Sequence, residues 1–278
     1  MLRLATSSWT LHNTLGQVWY EQTGNGKAVN KGPEMAAMPL LDLPAFVAAD
    51  GIDMLEIVHF HFPSTEDSYL AELKAALDEA NVELANVLVD TGNLSCLDDA
   101  QWQADLEMTK GWQEVAAKLG AGGNRIDCGT EAATPETMQR SATALQMLAE
   151  HGSGLGLTTT TENWRTTSLQ PENLFEIMDQ VQHPLKLCVD FGNASKTEDK
   201  YATLAALLPY GNSLHCKGVF NEDGLDMDEF HRALGLVKEA NFDGHIALIY
   251  DGYDDEWEKV LTLKERVEEF FSEFNSSP

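Results

Sequence analysis

Between Leu155 and Lys217, three short apolar runs each end in a group able to ligate a metal or move a proton. LGLTTTTENW delivers Glu162, LKLCVDFGN delivers Asp190, and SLHCKG delivers His215 with Lys217 two residues on. Glu162 and Asp190 stand 28 residues apart, Asp190 and His215 25. Each separation leaves room for one helix and one further strand, and a βαβ unit needs about 30 residues. The runs therefore read as consecutive parallel strands, each with a functional group at its C-terminal end. In barrels of such units that end carries the active site, while the opposite end serves stability.

The rest of the chain keeps the alternation. Apolar runs predict strands at Leu2–Ala5, Met54–Val58, Leu84–Val89, Asn124–Asp127 and His245–Tyr250. A helix over Leu43–Ala49 ends at Gly51, and one over Ala100–Leu119 turns Leu106, Trp112, Val115 and Leu119 inward. Ser64 with Asp67 reads as a capping box ahead of Leu70, Leu73 and Leu77, and Asp226 with Glu229 as another ahead of Phe230, Leu234 and Val237. Thr134 caps a helix that ends at Gly152; Leu174, Ile177, Met178 and Val181 form a further stripe. Helices over Lys200–Leu208 and Glu256–Phe271 complete eight strand–helix pairs. No linker divides them, so the expectation is α/β, a single (β/α)8 TIM barrel over 1–278.

A long segment at about 10–41 follows the first strand. Loops of that length are uncommon and are often lids or binding loops. Trp19 and Tyr20 within it could close over a ligand or simply pin the loop to the barrel. Its TGNGKAVNKGPE lacks the GK[ST] ending of a phosphate loop. After the second strand comes HFHFP, whose His59 and His61 fall on one side if the strand continues. Arg125 and Asp127 share a strand face, either as an ion pair or as substrate contacts.

The order of Glu162, Asp190 and His215, with DFGN, HCKG and the closing FDGHIALIYDG, resembles the xylose isomerase-like sugar isomerase/epimerase family. That family also contains AP endonucleases. The resemblance covers most of the chain. It implies a (β/α)8 barrel binding a divalent metal (Mn, Mg or Zn), here through Glu162, Asp190 and His215. It further implies Glu162, His215 and Lys217 as catalytic groups acting on a carbohydrate. Substrate contacts are expected from Trp9, Glu56, His59, His61, Asn93, Arg125, Asn163, Arg165 and Asp251. The family usually ends its eighth strand with an apolar residue, Glu, an aromatic, an acidic residue and Gly. This chain reads Leu248, Ile249, Tyr250, Asp251, Gly252, so Ile249 stands where the fourth metal ligand would be. Three readings follow: a one-base isomerase or lyase with a three-ligand metal, an enzyme with His59 or His61 in the vacant place, or a metal-free, non-catalytic sugar-binding or regulatory relative.

Charge decides which partners are excluded. With 18 basic and 45 acidic residues the net charge is −27. Such a surface repels phosphate backbones and anionic membranes, which argues against nucleic acid as a partner. No apolar run approaches the roughly 18 residues of a bilayer span. MLRLATSSW turns polar too quickly for a signal peptide, and Cys96, Cys128, Cys188 and Cys216 form no CxxC pair. Buried free thiols in a reducing, cytoplasmic setting are the expectation, with self-association into a homo-oligomer left open.

Overall fold

Eight parallel strands close into a barrel in a computed structural model that describes residues 2–16, 37–252 and 254–275. They are β1 (Leu4–Ser7), β2 (Met54–Val58), β3 (Glu83–Val89), β4 (Gly123–Ile126), β5 (Thr158–Glu162), β6 (Lys186–Asp190), β7 (Gly211–Lys217) and β10 (His245–Ile249). Spatial order follows chain order, with β1 pairing both β2 and β10. A small antiparallel hairpin, β8 (Phe220–Asn221) and β9 (Gly224–Leu225), lies in the chain between β7 and β10 and is not part of the barrel sheet.

The helices cover the outer face, as a parallel sheet buried on both sides requires. In chain order they are α1 (His12–Leu15), α2 (Leu43–Ala49), α3 (Asp67–Ala80), α4 (Asp99–Leu119), α5 (Pro135–Gly154), α6 (Arg165–Ser168), α7 (Pro171–Asp179), α8 (Phe191–Ala194), α9 (Lys200–Leu207), α10 (Met227–Glu239) and α11 (Glu256–Asn275). The apolar stripes predicted on α3, α4 and α10 are buried between helix and sheet. Among the described residues no helix is long and apolar enough to cross a membrane.

Some local expectations are corrected. Ser64 forms no capping box: Glu66 is the cap residue of α3, and the Ser64 hydroxyl accepts only the Glu66 amide at 3.1 Å. The reciprocal box is made instead at α5, by Thr134 and Thr137. The first strand begins two residues late, so Ser7 lies within it rather than after it. α7 stops at Asp179, which leaves Val181 beyond its stripe. Trp19 and Tyr20 lie outside the described residues.

Strand pleating sorts the barrel interior. Glu56, at the middle of β2, is fully buried and accepts hydrogen bonds from Asn86 at 2.8 Å, His215 Nε2 at 2.9 Å and His245 Nε2 at 3.0 Å. Beside this polar column, Ala5, Met54, Ala85, Ala247 and Ile249 form a small apolar cluster. The four threonines of β5 divide the same way. Thr159 turns outward to Gln113 of α4, and Thr161 to Cys128, while Thr160 shares the face of Glu162.

Candidate active site

β5, β6 and β7 end side by side, and their register decides what meets at the mouth. Glu162 pairs with Cys188, and Asp190 with His215. His215 Nδ1 lies 3.7 Å from Glu162 Oε2 and 3.3 Å from Asp190 Oδ2. Its other nitrogen is fixed by Glu56. Burial opposes charge on the ring, but the neighbouring Cys188, Glu162 and Glu56 outweigh it and hold its pKa well above the ordinary range. Burial would likewise neutralise Glu56, yet His215 and His245 keep its carboxyl well below the usual range.

Each of the two facing carboxylates already has a cation. Lys217 Nζ lies 3.1 Å from Asp190 Oδ2 and 3.0 Å from Asp251. Arg125 spans Asp90 and, through Nε at 3.0 Å, Glu162 Oε2. The stem of Lys217 passes so close to Gly192 that a Cβ there would meet its Cδ at 2.8 Å, which is what the glycine of DFGN provides for. Asn193 donates its amide N–H to Asp190 and its side-chain N–H to Glu162 Oε1 at 2.8 Å. Asn163 clamps the Asp190 backbone with two hydrogen bonds.

These groups line a cavity of about 190 Å³ with Trp9, Trp164, Lys196, Ile249 and Asp251 in its wall. That is small beside the roughly 300–1,000 Å³ of drug-sized pockets. Trp9 and Asp251 meet across the rim, the indole N–H donating to the carboxylate at 2.6 Å. Ile249 is buried in the wall and sits in register with Lys217. No carboxylate faces Glu162 from the eighth barrel strand.

Of the residues expected to touch substrate, Trp9, Arg125 and Asp251 reach the cavity. Glu56 does not, because its oxygens are taken by Asn86, His215 and His245 beneath the floor. His59 and His61 do not either. β2 stops at Val58 and residues 59–61 form a 3-10 turn, so strand alternation is lost. His59 stands against Trp112 and accepts the Asp90 amide, and His61 bonds Ser8. Neither fills the place beside Ile249. Asn93 braces the loop after β3 against Glu131 and Thr130. Asn163 acts on Asp190 as described. Arg165, at a left-handed φ of 56°, lies over the Trp164 ring and pairs with Asp127 at 2.8 Å. Thus Arg125 and Asp127 pair with other partners, not with each other. Burial pushes the Asp127 carboxyl up to about 6, against both arginines.

Asp90, Trp164, Cys188, Asn193 and Lys196 belong to the site but were not among the expected residues. Asp90 could have been found from its position just past a strand end. Cys188 could not, since a thiol within LKLCVD reads as core.

Could this donor set hold a divalent cation? Glu162 Oε2 and Asp190 Oδ2 are both buried, each beside one cation, Arg125 Nε at 3.0 Å and Lys217 Nζ at 3.1 Å. Both face His215 Nδ1, while Nε2 is bonded to a carboxylate in the manner that orients metal-ligating histidines. Among the described residues, ligand atoms of Glu162, Cys188 and His215 lie within 4.8 Å of one another. The donors fit such an ion.

The buried histidines outside the cavity set an acid limit. Burial lowers His59 to about 4 and, with His12 and His59 nearby, lowers His61 to about 3. The unfolded chain titrates them near 6.5 and so takes up protons that the fold refuses. Their contribution is intact above pH 6.5 and declines as pH falls toward 4, by about 3 kcal/mol for His61 at that point. We expect His61→Asn to flatten the fall in Tm between pH 7 and pH 4.5. Equal slopes for variant and wild type would refute the assignment.

A profile of the xylose isomerase-like TIM barrel matches residues 44–266. Comparison with curated proteins found no match. Among solved structures, an L-ribulose 3-epimerase superposes with a TM-score of 0.74 at 12% identity, covering 100% of this chain and 99% of the other. A xylose isomerase-like barrel from Mycobacterium smegmatis, in complex with magnesium, gives 0.70 at 14% identity over 98% and 97%. A D-tagatose 3-epimerase-like protein gives 0.69 at 17% identity over 98% and 100%. At such identities the structural likeness carries the fold alone. The family profile spans most of the sequence, and the chain belongs to the xylose isomerase-like TIM barrel family.

Proposed function

We propose that this protein is a sugar isomerase that moves a proton between adjacent carbons of a small carbohydrate or sugar derivative. Glu162, Asp190 and His215 would hold a divalent cation. The observation that carries the proposal is the His215 ring, anchored to Glu56 on one side and facing the buried carboxylate oxygens of Glu162 at 3.7 Å and Asp190 at 3.3 Å on the other. A divalent ion there would supply Lewis-acid polarisation of the substrate carbonyl oxygen.

The residues divide the remaining work. Glu162 removes the proton from the carbon beside the carbonyl and delivers it to the former carbonyl carbon, while the hydroxyl proton passes from the neighbouring oxygen to the former carbonyl oxygen; burial, opposed by Arg125, raises the Glu162 pKa, which favours the protonated form it needs to give the proton back. Lys217 donates a hydrogen bond to substrate oxygen, with Asp190 and Asp251 keeping it charged. Trp9 and Trp164 supply apolar walls for the sugar faces. Ile249 separates isomerisation from epimerisation. Epimerisation returns the proton to the opposite face and needs a second group there; Ile249 cannot be one. A single carboxylate can take and return a proton on one face, so isomerisation is the better fit.

A second reading has its own support. Lys217 on Asp190 and Arg125 on Glu162 already neutralise the carboxylates, as a metal-free sugar-binding relative would require. Elemental analysis of protein purified with and without added manganese separates the two, paired with NMR of candidate aldoses and ketoses in deuterated water. Bound metal together with solvent deuterium on carbon supports the isomerase. Sugar binding without metal or exchange would replace it with the binding protein.

A further inference from the structure

We propose that Cys188 is a metal ligand of this chain: a thiolate from β6 completes the donor set that Ile249 leaves short, and tilts the site toward zinc or cobalt over magnesium. The inference rests on the metal reading above.

Position carries the argument. Cys188 precedes Asp190 by two residues, so both side chains project from the same face of β6 into the barrel. It pairs in register with Glu162 on β5. Its Sγ, a Glu162 carboxylate oxygen and a His215 ring nitrogen all lie within 4.8 Å of one another. Bonds of about 2.3 Å to sulfur and about 2.0–2.2 Å to nitrogen or oxygen bridge such a triangle with sub-ångström adjustment. A second observation points to a ligand here: the buried Glu162 Oε2 stops 3.7 Å from His215 Nδ1, beyond hydrogen-bond reach, and both residues line the cavity. Asp190 is drawn toward Lys217 and the Asn193 amide.

Chemistry sets the preference. Thiolates favour zinc and other softer ions, whereas magnesium takes oxygen ligands. An unbound thiol is mostly S–H at neutral pH. On binding, the S–H proton leaves to solvent as the metal–sulfur bond forms, with no change of oxidation state. The other thiols cannot substitute. Cys128 contacts Thr161 outside the barrel wall, Cys216 faces Lys200 and Glu229 on the helix side, and Cys96 lies in the loop after β3.

The test is cobalt-loaded protein examined by absorption spectroscopy, with zinc and magnesium affinities measured by calorimetry on wild type and Cys188→Ser. We expect thiolate-to-cobalt charge-transfer absorption in wild type and its loss in Cys188→Ser. Zinc affinity should fall by at least the roughly 10–100-fold that loss of an outer partner costs, with magnesium little changed. The wild-type spectrum needs no variant, so a Cys188→Ser protein that fails to fold leaves the test intact. One equivalent of cobalt bound without that absorption would overturn the thiolate and leave the isomerase standing. No binding of cobalt, zinc or magnesium would overturn both.

Discussion

Glu162→Gln should abolish deuterium exchange at substrate carbon, lowering turnover by about 10²–10⁴-fold, the usual contribution of a positioned base. The change is nearly isosteric and keeps an oxygen for the Asn193 side-chain N–H, which now donates to Glu162 Oε1. Arg125 retains Asp90, so the guanidinium is not stranded. The fold should therefore survive, and substrate affinity should change far less than turnover. Metal affinity should drop as well, because Oε2 loses its charge. Measuring exchange at saturating metal separates the two effects. Full exchange in that variant would move the base elsewhere, with Asp190 the next group to test.

The barrel was legible because its strands and helices alternate with clear periods and each strand ends in punctuation. DFGN and HCKG stood out for that reason, and Glu162, Asp190 and His215 do converge on one ring. What could not be read was depth. Glu56 looks like a mouth residue by sequence, yet it lies one layer down and works through His215. His59 and His61 depended on β2 continuing past Val58, and a 3-10 turn there ended the alternation. Ion pairing was also hidden: Arg125 and Asp127 share a strand face but answer to Asp90 and Arg165 from neighbouring strands and loops. Such choices are made by inter-strand register, which one strand's own residues do not contain.

Ile249→Glu should tighten manganese binding by roughly 10–100-fold, taking the loss of an outer partner as the scale for gaining a direct one. Ile249 is 2% exposed and packs with Ala5, Met54, Ala85, Ala247 and Trp9, so the new carboxylate enters an apolar wall. Left alone there it would take up a proton and weaken the fold by several kcal/mol. The register offers a remedy. Lys217 is the paired residue on β7, and its ammonium can turn from Asp190 to the introduced group. That move would release Asp190 Oδ2 toward His215, adding a second anionic donor to the first. The variant should accordingly show a lower Tm than wild type without metal and a larger rise with manganese, since an ion bound only by the folded state stabilises it in proportion to affinity. Calorimetry on both forms reads the affinity directly. If manganese binds the two equally, the introduced carboxylate does not reach the ion and position 249 is not a ligand place; if it binds neither, Glu162, Asp190 and His215 do not form a metal site, and sugar binding without catalysis becomes the better account of this barrel.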